Sequence, residues 1–263
     1  MPTTDNAETA ETAGSQLLNL IVTGGSRGIG AETARLAAER GYAVCVNYRR
    51  NRAAADAVVG AITASGGTAL AVAADVANED DVIRLFETVD SQLGPVAVLV
   101  NNAGILERQT RVEHLHAARI DRVFATNVRG AFLCAREAVR RMSTARGGAG
   151  GAIVNVSSRA AQLGAPGEYV DYAASKAALD ALTIGLAREV AAEGIRVNGV
   201  RAGIIYTDIH ADGGEPGRVD RLGPTLPMKR GGHAIEVARA ILWLASDEAS
   251  YSTATFIDVA GGR

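Results

Sequence analysis

The sequence predicts an α/β fold: a doubly wound parallel sheet of about seven strands with helices on both faces. Three observations carry that prediction. Short apolar runs rich in β-branched residues alternate with stretches of helical period along the chain. One of these runs, residues 96–100, is wholly apolar, as a central parallel strand covered on both faces must be. A glycine-rich turn stands between the first strand and the first helix, where open α/β sheets bind phosphate groups.

Residues 20–22 read as the first strand. Gly24, Gly28 and Gly30 follow, and a helical pattern opens at Ala31. Strand 43–46, helix 53–65, strand 69–73, helix 80–92 and strand 96–100 come next. A long helix covers 120–141, and the glycine-rich segment 145–151 reads as a flexible hairpin before strand 153–156. Helix 172–192 and strand 196–200 follow. The proline- and glycine-rich stretch 210–232 then breaks the alternation, before helix 234–245 and strand 255–259. A connection this long inside a compact α/β domain is expected to be a substrate lid, and it reaches back to about residue 206. Residues 1–15 are polar and acidic without an apolar stretch, which predicts a mobile tail and not a secretion signal. No repeat or long linker divides 16–263, so one domain is expected there.

Composition narrows the classes. Hydrophobic residues make up 48% and charged residues 21%, ordinary for a chain with a real core. Aromatics are only 4%, so the core packs through small residues, as helices lying close on a sheet require. The net charge of −2, from 27 basic and 29 acidic residues, argues for neither nucleic acid nor an anionic membrane as partner. No run of about 18 apolar residues predicts a membrane span. Cys45 and Cys134 are far apart and read as small buried hydrophobes, with no disulfide or metal site indicated.

Two features carry chemistry. In LLNLIVTGGSRGIG, strand, glycine turn and helix start make a dinucleotide phosphate site. The glycines let backbone approach the pyrophosphate, and the helix N-terminus offers unpaired N–H groups. The spacing is Gly-x-x-x-Gly-x-Gly, which departs from the commonest fingerprint. Far downstream, Tyr172 and Lys176 stand at i and i+4 of one helix and project from one face. A phenol with a pKa near ~10 is a poor catalyst at neutral pH, and a nearby ammonium is expected to pull it down. Such a tyrosine exchanges a proton with a carbonyl or alcohol oxygen.

Together these motifs resemble the short-chain dehydrogenase/reductase family over nearly the whole chain after residue 16. TGGSRGIG at 23–30 is similar to its cofactor turn, in which Gly24, Ser26, Arg27, Gly28, Ile29 and Gly30 stand. NNAG at 101–104 is similar to its sheet-stabilising motif, TNVRGAF holds its active-site asparagine at Asn127, and NVSS at 155–158 holds its serine. The resemblance implies a single Rossmann-like domain and a Ser-Tyr-Lys-Asn constellation. Tyr172 would be the general acid/base. Lys176 would also contact the nicotinamide ribose, and Ser158 would hydrogen-bond the substrate oxygen. Asn127 would interrupt its helix and hold a water that links Lys176 to solvent. Ser158, fourteen residues before Tyr172, lies nearer the family's usual thirteen than Ser157; an insertion at 163–169 accounts for the difference. Asp75 and Val76 would meet the adenine. The backbone of Asn101, Asn102, Ala103 and Gly104 would line its ribose. Gly203, Ile205 and Thr207 would hold the carboxamide. Two positions depart from the family: Ala202 replaces a proline, which should loosen the following turn, and Ala254 replaces a common glycine.

Cofactor choice turns on the end of the second strand, where NAD enzymes place an acid. This chain has Asn47, Tyr48, Arg49 and Arg50 there, and the nearest acid is Asp56. Guanidinium groups suit a 2′-phosphate, and Arg27 adds a second positive charge, so NADP is expected over NAD. If the arginines are solvated instead, both bind.

The leading expectation is a cytoplasmic, homotetrameric oxidoreductase that acts on a small-molecule carbonyl or secondary alcohol. A 3-oxoacyl-carrier-protein reductase is one narrower reading, with Arg108, Arg111 and Arg129 as a docking patch. NYRRNR also resembles the glucose 1-dehydrogenase branch, which makes a sugar another. A non-catalytic dinucleotide-binding regulator is the alternative of a different class; the presence of serine, tyrosine and lysine together argues against it.

Overall fold

A computed structural model describes residues 18–263; the tail expected at 1–15 lies outside the described residues. In chain order the elements are β1 (Asn19–Val22), α1 (Gly28–Glu39), β2 (Ala43–Tyr48), α2 (Arg52–Ala64), β3 (Ala69–Ala73), α3 (Glu79–Gln92) and β4 (Val96–Asn101). Next come α4 (Ala117–Phe124), a π-helical turn (Ala125–Arg129), α5 (Gly130–Met142), β5 (Gly151–Ser158), α6 (Ala160–Leu163), α7 (Val170–Val190) and β6 (Ile195–Ala202). The chain ends with β7 (Ile205–Tyr206), α8 (Ile209–Asp212), α9 (Arg218–Leu222), β8 (Gly232–His233), α10 (Ala234–Ala245) and β9 (Phe256–Val259).

Seven strands form one sheet in the order β3-β2-β1-β4-β5-β6-β9, with every pairing parallel. The order reverses between β1 and β4, which opens a crevice at the carboxyl ends of the strands. Alternate strand residues go to opposite layers. Leu20, Val22, Val46, Val100 and Val154 pack against α1, α2 and α10. Ile21, Cys45, Leu99, Ile153 and Val197 pack against α3, α5 and α7. Burial on both faces is why these strands are continuous apolar runs, and each fully buried aliphatic side chain contributes roughly 1.5–3 kcal/mol. On α1, Ala31, Ala34 and Ala37 let the helix lie close to the sheet and to α10.

Three expectations change. The segment 145–151 is no hairpin, because β4 and β5 are parallel; it is a turn fixed by bonds from Gly148 N to Ser143 O at 2.9 Å and Gly150 N to Met142 O at 2.7 Å. The helix expected over 120–141 is two helices joined through the π turn that contains Asn127. The stretch 210–232 is ordered as α8, α9 and a strand, β8, which pairs with β7. Cys45 and Cys134 are both buried and free, and burial raises both thiols, Cys134 to about 12.

Ala254, two residues before β9, adopts φ +57°, the left-handed region. Its N–H is tied to Val197 O at 2.8 Å, and this pairing holds the conformation. A residue with a Cβ is penalised there by ~1–2 kcal/mol, partly offset here by packing of the methyl against the core. Ala254→Gly is therefore expected to stabilise the protein by about 0.5–1 kcal/mol in urea unfolding. A lower denaturation midpoint would show that the methyl contact outweighs the backbone strain.

Candidate active site

The carboxyl ends of the central strands open on one cleft of about 440 Å³. At its floor, the turn after β1 places Gly24 at φ +61° and Gly28 at φ +54°. A Cβ on Gly24 would stand 3.0 Å from Ala103 Cα, and one on Gly28 would stand 3.2 Å from Thr207 Cγ2. Gly30 lies behind the cleft, where a Cβ would fall 2.5 Å from Asn102 Nδ2. That amide donates to Thr23 O at 2.9 Å and Gly24 O at 3.1 Å, and so binds the end of β4 to the glycine turn. α2 and α3 are capped by Asn51 and Asn78, whereas α1 has no side-chain cap and no acid in its first turn. Its leading N–H groups are therefore available to an anion.

Ser158 ends β5, and Tyr172 lies in the first turn of α7, one turn before Lys176. Ser158 Oγ donates to Ala202 O at 3.4 Å and accepts from Ala160 N at 3.1 Å, and it lies near enough to the Tyr172 hydroxyl to oppose the rise of its pKa. Lys176 Nζ stands 5.7 Å from the centre of the Tyr172 ring and donates to Val156 O at 2.8 Å. Ser157 points the other way, and its hydroxyl donates to Lys176 O at 3.3 Å in the interior. Burial dominates the acid–base properties. It pushes the Tyr172 phenol up to about 12, opposed by Ser158. It brings Lys176 down to about 8, opposed by the Asp180 carboxylate. Where a lowered phenol was expected, the phenol of the free protein lies above its ordinary value, because desolvation outweighs the contribution of Ser158.

Asn127 is buried in the π turn and does not line the cleft. Its carboxamide accepts from Ile105 N at 2.8 Å and donates to Ile105 O and Ser175 Oγ, both at 3.0 Å. Ser175 in turn donates to Tyr172 O at 2.7 Å.

Comparison with known proteins bears on the family and the fold. A family model described as enoyl-(acyl carrier protein) reductase matches residues 24–263. The uncharacterized oxidoreductase YgfF of Escherichia coli K12 is 61% identical over 243 residues, covering 92% of this chain and 98% of YgfF. The 3-oxoacyl-[acyl-carrier-protein] reductase FabG of Staphylococcus aureus is 40% identical over 242 residues, covering 92% of this chain and 96% of FabG. A short-chain dehydrogenase/reductase of Serratia marcescens superposes with a TM-score of 0.86 at 34% identity, covering 94% of this chain and 98% of that one. The chain belongs to the short-chain dehydrogenase/reductase family. As a short-chain dehydrogenase/reductase it is an oxidoreductase with the family's Rossmann-like sheet. A further family member, from Burkholderia cenocepacia, was solved in complex with NADP; it superposes at 0.85 with 33% identity, over 93% of this chain and 97% of that one.

The cleft of this short-chain dehydrogenase/reductase gathers Ser26, Arg27, Ile29, Tyr48, Arg49, Arg50, Asp75, Val76, Ala103, Gly104, Gly203, Ile205 and Thr207. Asn101 is not among its lining residues; it is buried, with its amide 3.0 Å from Asn155 Oδ1. Asn47 reaches the cleft wall, but its amide is engaged by Gly24 N, Val72 O and Ala74 O. The turn after Ala202 is not loose: Ala202 O accepts from Arg159 N at 2.9 Å, and Gly203 N donates to Val259 O at 2.9 Å. Two of the three arginines expected around a 2′-phosphate are paired. Arg49 Nε meets Asp75 at 2.8 Å, and Arg27 meets Asp212 of α8. Asp56 is held by Arg52 on α2, away from the cleft. Leu106, Leu163, Glu168, Tyr169, His210 and Arg218 also line the cleft, and sequence reasoning missed them. Tyr169, three residues before Tyr172 at the helix start, was the one available signal. Among the described residues no group of His, Cys, Asp or Glu is placed to hold a metal, and no helix is long and apolar enough to cross a membrane.

Proposed function

We propose that this oxidoreductase interconverts a small carbonyl compound and a secondary alcohol, with NADP preferred over NAD. The observation that carries the reading is Ser158, Tyr172 and Lys176 converging on one cleft with an uncapped, glycine-walled helix N-terminus. A dinucleotide fits there, since side chains on Gly24 or Gly28 would crowd the turn that receives it. The bound nicotinamide would supply the hydride. Ser158 holds the substrate oxygen toward the Tyr172 hydroxyl. The phenol, protonated throughout the neutral range, gives its proton to the developing alkoxide. Lys176, charged below about 8, stabilises the phenolate left behind. Asn127 acts at one remove, since it fixes the first turn of α7 through Ser175.

The relation to 3-oxoacyl-[acyl-carrier-protein] reductases supplies a second reading, an acyl thioester substrate. The docking patch it needs is diluted: Arg111 pairs with Glu113, and Arg122 beside it pairs with Glu107. Assays with thioesters and free ketones compare the two readings directly.

Ser158→Ala is expected to lower turnover more than Ser157→Ala, because only Ser158 lies near the phenol. Ser157→Ala is expected instead to lower Tm, since it removes an internal tie to α7. The reverse order of turnover numbers moves the role to Ser157.

Tyr172→Phe is expected to bind cofactor and to lose ~10²–10⁴ in turnover. For the parent protein, reductive kcat/KM should hold steady below pH about 8 and fall above it, as Lys176 loses its charge. The oxidative direction needs the phenolate and should rise with pH. A reductive rate that climbs through that range counts against the assignment.

Arg50 has no carboxylate partner among the described residues, so it is the arginine free to meet a 2′-phosphate. NADPH is expected to bind about tenfold more tightly than NADH, ~1.4 kcal/mol, and Arg50→Ala to remove most of that difference. Fluorescence titration with both cofactors checks this; equal affinities in the parent would mean the guanidinium stays in solvent.

A homotetramer is the proposed assembly. Ala174, Ala177, Ala181 and Gly185 form an exposed small-residue stripe on α7, and Phe132 on α5 is 51% exposed. Such a surface suits close helix packing between subunits. Light scattering at micromolar concentration is expected to give four copies, and a stable monomer defeats the idea.

A further inference from the structure

Lys176 is a buried cation with little beside it to hold its charge. It is 4% exposed, and among the described residues its Nζ donates to Val156 O alone, at 2.8 Å. A carbonyl is a dipole and not a counter-charge, and a buried ammonium without one gives up its proton readily. The nearest walls are neutral. A Cβ on Gly104 would stand 3.4 Å from Nζ and 3.5 Å from the Asn127 carboxamide oxygen. Charged side chains on the elements packed against α7 have other partners. Arg119 of α4 pairs with Asp171, Glu137 of α5 with the arginines of its own helix, and Arg159 after β5 with Asp258.

One carboxylate stands in line with the lysine. Tyr172, Lys176 and Asp180 occupy i, i+4 and i+8 of α7 and share a face. The Asp180 side chain is 13% exposed, and Arg201 Nε on β6 meets its Oδ2 at 2.8 Å, which fixes the carboxylate between helix and sheet. Its Oδ1 is buried without a hydrogen-bond partner among the described residues. The Arg201 charge is divided, since Nη1 also lies 3.6 Å from Asp258 Oδ1 and the guanidinium sits 3.8 Å from the centre of the Phe256 ring. Asp180 thus keeps negative charge that Arg201 does not take up, and it opposes the effect of burial on Lys176.

We propose that Asp180 is a positioning residue of the proton-transfer site: fixed by Arg201 one turn beyond Lys176, its carboxylate is the counter-charge that keeps the buried lysine in its ammonium form at neutral pH. The inference rests on the reading of Lys176 as the group that stabilises the phenolate, which an ammonium does and an amine does not. Burial brings Lys176 down to about 8 even with Asp180 opposing it. Without that negative charge the lysine loses its proton at lower pH, inside the neutral range. A side chain needed only to tie α7 to β6 could be a carboxamide, which still accepts from Arg201 Nε. Charge therefore separates this role from a structural one.

The chain has two lysines, Lys176 and the exposed Lys229. Protein carrying a carbon-13 label at lysine Cε therefore gives two NMR signals, and Lys229→Arg assigns them. Asp180→Asn keeps the size and the acceptor, Asp180→Ser is a smaller neutral replacement should the amide variant not fold, and Asp180→Glu keeps the charge. The Lys176 midpoint is expected at about 8 in the parent protein. It is expected about one pH unit lower in the neutral variants and close to the parent value in Asp180→Glu. Reductive kcat/KM is expected to follow, with a several-fold loss in the neutral variants at pH about 8 and none at pH about 6. A midpoint that the neutral variants leave in place overturns the inference, as does a glutamate variant that falls as far as the asparagine one. A parent protein that titrates as expected and turns over no carbonyl or alcohol overturns the oxidoreductase reading and the role in it, while the charge pairing stands.

Discussion

Asn102 crosses from the end of β4 to the glycine turn, and the position of the cleft follows from that crossing. Its amide donates to the carbonyls of Thr23 and Gly24, while Thr23 Oγ1 takes the N–H groups of Asn102 and Ala103, both at 3.0 Å. The two strands joined this way, β1 and β4, are those between which the sheet order reverses. A crevice is unavoidable there, and the four bonds decide how wide it opens and which backbone N–H groups face it. Gly30 belongs to the same constraint. It contacts no cleft volume, yet any side chain at that position would collide with the Asn102 amide.

A second set of buried polar contacts sets the rotation of α7. Asn101 donates to Asn155, Asn155 to Thr183, and Ser157 to Lys176 O. Arg119 of α4 clasps Asp171 in the first turn at 2.7 Å, with the carboxylate side chain only 3% exposed. Apolar packing alone would hold α7 against the sheet and leave its register soft. Hydrogen bonds inside a low-dielectric interior are costly to leave unmade, so they admit few rotations. The face carrying Tyr172 and Lys176 is thereby aimed into the cleft before any substrate arrives.

The sheet and its order of elements were legible because both layers are apolar and periodic. The last helix, Ala234–Ala245, and β3, Ala69–Ala73, have the bounds read from the sequence. Errors came where a polar residue is buried for a local reason. β2 runs on to Tyr48, with the Asn47 amide satisfied by the carbonyls of Val72 and Ala74, an arrangement no single-strand pattern announces. The break at 125–129 is a π turn in a stretch whose periodicity is helical on both sides. The catalytic candidates could be named from motif spacing. Glu168, His210 and Arg218 could not, since their meeting depends on how the segment 206–232 folds back. The phenol was misjudged for a similar reason: adjacency of Tyr172 and Lys176 is visible in the sequence, and their desolvation is not.

The segment 206–232 is fastened unequally at its two ends. Over Glu168 it is held by Arg218, whose side chain is 6% exposed, and by Gln109 on Glu215 at 2.6 Å. Glu215 is itself brought down to about 2 by Arg221, Arg218 and Gln109, which marks it as a hub of that end. Over the glycine turn it is held by Arg27 and Asp212, whose side chains are 52% and 46% exposed. Exposed ion pairs are worth ~0.2–1 kcal/mol and weaken with salt, whereas a buried, multiply bonded guanidinium is expensive to release. The end above the glycine turn is therefore the weaker one. The Arg27–Asp212 pair is open to competition from other anions in solvent, whereas Arg218 is tied to both Glu168 and Glu215 with its side chain 6% exposed.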